Sequence, residues 1–327
     1  MKLIRTSIAA LLAPFAWLSP ASVTAQEMSP NYPDRPIRII ITVPPGAGAD
    51  MVARMTAQIL HERWGQNVVV DPRPGGGGLV ATDVFRKSTP DGYTILQTGT
   101  GLLFQTATKR VAFNVLDEFT PVVPMTMQPY ILVSNVNVPA TSIKELIALS
   151  QAKPLTYAGS SGIGGTVHLG MEGLAKFSGM KLRIVPYKGS APAYLGLLGG
   201  EVQLVCGSVM SATTLIRNGK VRGIASLGTK RALTLPDLPT AIEQGLPEGF
   251  RIDNRYNLWV RAGTPRSIIN AINRAAGEGI RSPEMAKRLS ADGSEPAPHR
   301  TPEELRADLT HLAKGIDAQV KELGIKF

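Results

Sequence analysis

The sequence predicts an α/β protein of two lobes, each a mostly parallel sheet flanked by helices, with a cleft between them for a small anion. Three observations lead there. Apolar, β-branched runs alternate with amphipathic stretches along most of the chain, the pattern of a parallel sheet wrapped by helices. Two glycine-rich loops, PPGAGAD from Pro44 to Asp50 and GSSGIGGTVH from Gly159 to His168, each follow an apolar run and open a helical one. A strand that turns through glycines into a helix leaves N–H groups unpaired at the positive end of the macrodipole, which suits an anion. Finally, Arg255 to Pro265 reads as a strand followed by a helix start, returning the chain to the lobe it left near Met125.

The elements follow in order. Residues 1–25 read as a secretory leader: Lys2 and Arg5 are basic, Ile8 to Leu18 is apolar and too short to span a bilayer, and Val23-Thr24-Ala25 offers small residues for cleavage. Strands are expected at Ile37–Val43, Asn67–Asp71 and Tyr93–Thr98, with helices at Asp50–Trp64, Leu79–Thr89 and Gly101–Lys109. Nearly continuous apolar strands are those covered on both faces. A second set has strands at Tyr130–Asn135, Leu155–Ser160, Arg183–Lys188, Val202–Cys206 and Arg222–Leu227. Its helices are Ser142–Ala152, Gly165–Phe177, Ala191–Gly199 and Ala212–Asn218. The tail is helical at Pro265–Ile280 and Thr301–Leu323. In the latter, Leu305, Leu309, Leu312, Ile316, Val320 and Leu323 form an apolar stripe, and Thr301-Pro302-Glu303-Glu304 supplies a capping box. Lobe 1 is thus 26–125 plus 255–327 and lobe 2 is 126–254.

The formal charge is +10; without Lys2 and Arg5, 33 basic residues face 25 acidic ones, leaving +8. The basic residues are scattered and aromatics are few, so no nucleic-acid stripe emerges and small anions fit better. The single cysteine, Cys206, permits no intramolecular disulfide and reads as a buried small hydrophobe. No metal-ligand spacing occurs among the four histidines, no Gly-Lys-Ser/Thr follows a glycine loop, and the first loop carries only two of the dinucleotide glycines. Ala158 to Gly162 lacks the first glycine of a nucleophile elbow, which weakens the competing reading of an exported hydrolase using Ser160 or Ser161.

In the first loop, Pro44-Pro45 ends the strand, Gly46 and Gly48 permit the turn, and Asp50 is expected to cap the helix. The amides of Gly46 to Ala49 then face the ligand. The second loop adds the hydroxyls of Ser160, Ser161 and Thr166 to its amides, with His168 in the first helical turn. Tyr187-Lys188-Gly189 and Thr98-Gly99-Thr100 are further strand ends of the kind where ligands collect.

These motifs together resemble one family. Tyr32-Pro33-Asp34-Arg35-Pro36, PPGAGAD, NVVVDPRPGGGG from Asn67, Pro90-Asp91-Gly92-Tyr93, YAGSSGIGGTVH, VPYKGSAPA, LPDLPT from Leu235 and AGTP from Ala262 occur in one order across the chain after the leader. The chain is similar to the substrate-binding proteins of tripartite tricarboxylate transporters, the Bug family. The resemblance implies a type II-like periplasmic binding fold, no catalysis, no metal or cofactor, and a carboxylate ligand handed to two membrane subunits by a monomeric periplasmic receptor. A ligand-sensing receptor that feeds a signalling partner is the other reading.

The candidate ligand contacts are Pro45, Gly46, Ala47, Gly48 and Ala49; Thr100; Ser160, Ser161, Gly164, Gly165, Thr166 and His168; and Tyr187, Gly207, Ser208 and Arg255. Two positions depart from the family. Members often carry Phe-Asp where this chain has Cys206-Gly207, and many have an aromatic where it has Arg255. Losing an acid and gaining a guanidinium favour a more anionic or bulkier ligand. The expectation is a dicarboxylate, an aromatic one included, with one carboxylate on the loop amides and the other near Arg255.

Overall fold

The computed structural model describes residues 32–323 except Ala47, Ser161, Gly162, Gly164, Lys188, Gly249 and Asp292. The expected leader lies outside the described residues. The chain runs β1 (Ile37–Ile41), α1 (Gly48–Trp64), β2 (Val68–Pro72), α2 (Leu79–Arg86), β3 (Thr94–Thr98), α3 (Gly101–Ala107), α4 (Val115–Glu118) and β4 (Phe119–Asn135). It continues α5 (Ile143–Ala152), β5 (Leu155–Gly159), α6 (Thr166–Ser178), β6 (Leu182–Pro186), α7 (Ser190–Leu198), β7 (Leu204–Ser208), α8 (Val209–Arg217) and β8 (Val221–Ser226). The return is β9 (Asp253–Arg261), α9 (Arg266–Ile280), α10 (Pro283–Ala291), β10 (Glu295–Pro296) and α11 (Pro302–Leu323).

Two sheets share one strand. The first has the order β2-β1-β3-β9-β4 and the second β4-β7-β5-β6, with β10 and β8 also paired to β4. The βα repeats make the parallel part: β1 pairs with β2 and β3, and β5 with β6 and β7. The long strands that join the lobes add the antiparallel part. β9 runs against β3 and against β4 from Phe119 to Pro129, and β4 from Tyr130 onward runs against β7 and β8. The sequence marked only the last third of β4, and it set β7 two residues early.

Period-two alternation explains the apolar runs. Ile37, Ile39 and Ile41 of β1 pack beneath α1 and α9, while Ile40 enters the opposite core with Leu96, Trp259 and the α11 residues Leu305, Leu309 and Ile316. Two further cores cover the faces of the second sheet. Both predicted features of α11 are present: the stripe packs inward from Leu305 through Leu309, Leu312 and Ile316 to Val320, and Thr301 and Glu304 exchange hydrogen bonds reciprocally, with the Glu304 N–H donating to Thr301 Oγ1 at 3.2 Å and the Thr301 N–H donating to Glu304 Oε2 at 2.8 Å. Helix α6 meets α11 across the lobes. Leu169 of α6 sits in the α11 core, Gln319 Nε2 donates to its carbonyl at 3.2 Å, and Lys176 pairs with Glu322.

Candidate functional site

The first loop is built from below. Gln97, fully buried at the end of β3, donates to the Ala49 carbonyl at 3.0 Å and accepts from Thr56 Oγ1 at 2.9 Å, fixing the first turn of α1. Asp50 is not the cap expected of it, because α1 already begins at Gly48. Its carboxylate reaches back instead, accepting from the Gly46 N–H at 2.9 Å and from Arg54 Nε at 3.0 Å. The Gly46 amide is therefore committed within the protein, and Ala49 packs into the core. Pro45 and Gly46 form an exposed turn, and Ala47 lies outside the described residues. Over Gly48 sit the Tyr256 hydroxyl and Gln128 Nε2, 3.7 and 4.0 Å from where its Cβ would be. Asn254 Nδ2 donates to the Tyr256 hydroxyl at 2.7 Å, and Ser294 Oγ donates to Gln128 Oε1 at 2.9 Å.

The second loop meets the first lobe from the other side. Gly165 takes the N-cap position of α6, and Thr166 follows it. A Cβ on Gly101 would lie 3.4 Å from Thr166 Oγ1, so the start of α3 touches the start of α6 across the lobes. Thr100 precedes α3 and its hydroxyl caps nothing. Thr100, Thr166, Arg251, Asp253 and Arg255 all line one cavity of about 320 Å³, whose remaining walls include Phe104, Phe250, Ile252 and a stretch of α11 from Leu312 to Glu322. Ser160 ends β5 at a turn, while Ser161 and Gly164 lie outside the described residues.

Arg255 is neither free nor solvent-facing. Its guanidinium lies 3.5 Å from Asp253 Oδ2, with the two side chains 31% and 11% exposed. Burial raises the Asp253 carboxyl above its ordinary range, and the guanidiniums of Arg255 and Arg251 oppose that shift. Alternation along β9 sends Asp253 and Arg255 to the α11 side and Asn254 and Tyr256 to the α1 side. The first loop and Arg255 therefore stand on opposite faces of the strand. Of the predicted contacts, the structure gathers Thr100, Thr166 and Arg255 around one cavity and leaves the first loop with a separate polar cluster.

Other predicted contacts have structural partners. His168 is buried, 3.8 Å from Glu172 Oε1, and burial lowers its pKa while Glu172 opposes this. The Tyr187 hydroxyl donates to Glu201 at 2.8 Å, past the C-terminal end of α7, and Tyr187 does not line the cavity. Ser208 caps α8, accepting from the Ser211 N–H at 3.5 Å. Gly207 faces the Tyr194 hydroxyl, which fills the volume its Cβ would take. That hydroxyl is buried with no hydrogen-bond partner among the described residues. Cys206 is fully buried and burial pushes its thiol up, matching the reading of an inert small hydrophobe. Asp253, Asn254, Tyr256, Gln128 and Arg251 were not singled out from the sequence. The DNRY run at Asp253 to Tyr256, polar at the start of an apolar strand, was the available signal.

Among the described residues no group of three or more His, Cys, Asp or Glu could hold a metal, and no helix is long and apolar enough to cross a membrane. Two lobes joined by two strands, with a polar-ended cavity where they meet, define a solute-binding protein of the periplasmic type rather than an enzyme.

The chain belongs to the tripartite tricarboxylate transporter family of receptors, whose model matches residues 52–314. It is 32% identical to the protein BugT of Bordetella pertussis over 95% of this chain and 96% of that one. Its fold is similar to that of an R. palustris protein solved with adipate, at a TM-score of 0.82 and 29% identity, covering 90% of this chain and 99% of that one. It is also similar to MatC from Rhodopseudomonas palustris with bound malate, at a TM-score of 0.80 and 25% identity, covering 88% and 100%.

Proposed function

We propose that this protein is an exported periplasmic receptor that captures a small dicarboxylate between its lobes and delivers it to the membrane subunits of a tripartite transporter. The observation that carries the reading is the cavity shared by Thr100 of one lobe, Thr166 of the other, and the Arg251 and Arg255 guanidiniums. Hydroxyls, the amide-rich start of the 13-residue α6 and two cations suit a carboxylate. The adipate and malate of the two structural neighbours are both dicarboxylates, which supports the same class here. Lobes divided as 26–125 with 255–327 and 126–254 would close on the ligand about the β4 and β9 crossings.

Titration calorimetry of the purified protein against succinate, malate, adipate, terephthalate and glutamate tests the reading. At 100 times its dissociation constant a true ligand adds about 2.7 kcal/mol of stability. Thr166→Val, which removes one hydroxyl donor, should weaken a dicarboxylate by roughly tenfold without changing the apo melting temperature. Binding of glutamate in preference to every dicarboxylate, or of none of these acids, would overturn the assignment.

A further inference from the structure

We propose that Asp253 couples ligand capture to a proton: the acid that the cavity admits beside Arg255 is bound together with one proton, which the Asp253 carboxylate takes from solvent. This rests on the dicarboxylate reading and concerns how the site balances charge, whichever acid fills it. Arg251, just before β9, and Asp253 and Arg255 within it all line the cavity. Among the described residues α3 and α6 present no ionisable side chain to it, and α11 presents Glu322, which is paired with Lys176. Two guanidiniums therefore face one carboxylate where the lobes meet. The surplus is one positive charge, whereas a dicarboxylate brings two negative ones.

The position of Asp253 makes it the acceptor. Its Oδ2 lies 3.5 Å from the Arg255 guanidinium, and the side chain is mostly buried. Its other oxygen rests on backbone: a Cβ on Gly228 would lie 2.9 Å from Asp253 Oδ1 and 2.7 Å from the Cβ of Pro129, the residue opposite Asp253 on β4. Neither Gly228 nor Pro129 carries a charge to hold the carboxylate ionised. The two arginines alone oppose the rise in its pKa that burial causes.

A bound carboxylate weakens that opposition in either arrangement open to it. If Arg255 turns to the ligand, Asp253 loses its cation. If Arg255 is shared, Asp253 gains a like charge beside it. Both disfavour the ionised form. Once protonated, Asp253 is also a hydrogen-bond donor, the partner a carboxylate ligand needs. Because binding then takes up a proton, affinity should rise as pH falls.

The experiment titrates the secreted protein calorimetrically with whichever of succinate, malate, adipate and terephthalate it binds most tightly, in buffers of different ionisation enthalpy. At about pH 7 carboxyls of ordinary pKa, about 4, are ionised, so a proton taken up belongs to the protein. The heat should depend on the buffer in the sense of proton uptake, and affinity should tighten by up to about tenfold per pH unit from about pH 8 to about pH 6.5. Asp253→Asn should erase both effects and bind at least as tightly at about pH 7. Binding in the unaltered protein that is independent of buffer and pH overturns the inference and leaves the dicarboxylate reading standing. Uptake that survives in Asp253→Asn overturns it as well, and its loss in His168→Gln would then place the proton on the imidazole. Failure of all four acids to bind overturns both.

Discussion

Replacing Arg255 with alanine separates its two roles. The guanidinium holds Asp253 at 3.5 Å in a pair that is neither surface nor core, the side chains being 31% and 11% exposed. Exposed pairs contribute about 0.2–1 kcal/mol, and breaking a fully buried one costs about 3–5. Arg255→Ala should therefore cost about 1–3 kcal/mol at pH 7. The pH dependence follows from the sign of the Asp253 shift. Its carboxyl is raised by burial and held down by Arg255 and Arg251. A folded pKa above the unfolded value means a contribution present at low pH and lost as pH rises through the folded pKa. Without Arg255 the carboxyl rises further, so the deficit of the variant should shrink as pH falls below 7 and Asp253 takes up its proton.

The binding arm uses adipate against hexanoate, which share a chain and differ by one carboxylate. If Arg255 meets the second carboxylate, adipate should win by tenfold or more, the value of a charge-assisted hydrogen bond of about 1.5–3 kcal/mol. Arg255→Ala should reduce that ratio to near unity. Asp253→Asn, which frees the guanidinium from its internal partner, should widen it. Urea melts at two pH values and calorimetry with both acids suffice. An adipate-to-hexanoate ratio unchanged in Arg255→Ala, with stability alone affected, would refute the ligand role and leave Arg255 as the partner of Asp253.

Two further outcomes concern groups around the second sheet. The Tyr194 hydroxyl is buried without a partner among the described residues, and an unmet donor is costly. Tyr194→Phe should leave urea stability unchanged or raise it by up to about 1 kcal/mol, and a loss larger than that would show a hydrogen bond in solution. The His168 pKa is lowered by burial, so its contribution is present above about 6.5 and lost as pH falls. Between pH 7.5 and 5.5 the protein should lose stability relative to His168→Gln, at up to about 1.4 kcal/mol per pH unit, and parallel curves would exclude a buried neutral imidazole.

The parts legible in the sequence were those governed by local rules. Alternating strands and helices, the Thr301 capping box and the glycine turns each depend on a few neighbouring residues, and each is present. What escaped was decided by pairing. The segment FTPVVPMTMQPYILVSN carries Pro121, Pro124 and Pro129, which read as breaks because proline cannot donate to a ladder. The structure keeps it as one strand by shifting register between Pro121 and Val123 and between Pro124 and Thr126. Such shifts absorb a residue that cannot pair and bend the strand.

The same register decides what the site can be. β9 lies against β4 with Asp253 opposite Pro129 and Arg255 opposite Met127. That alignment sends Asn254 and Tyr256 toward the start of α1, and Asp253 and Arg255 toward α11. A slip of one residue would exchange the two sets, bringing Arg255 beneath the first glycine loop. Nothing in the order of residues distinguishes those registers. The choice is made by Leu258 and Val260, which enter the core under α1, and by Trp259, which enters the core under α11. The charge that faces the cavity is thus set by apolar packing several residues further along the strand. A substitution at Trp259 that disturbed this register should therefore alter binding although its side chain lies outside the cavity lining.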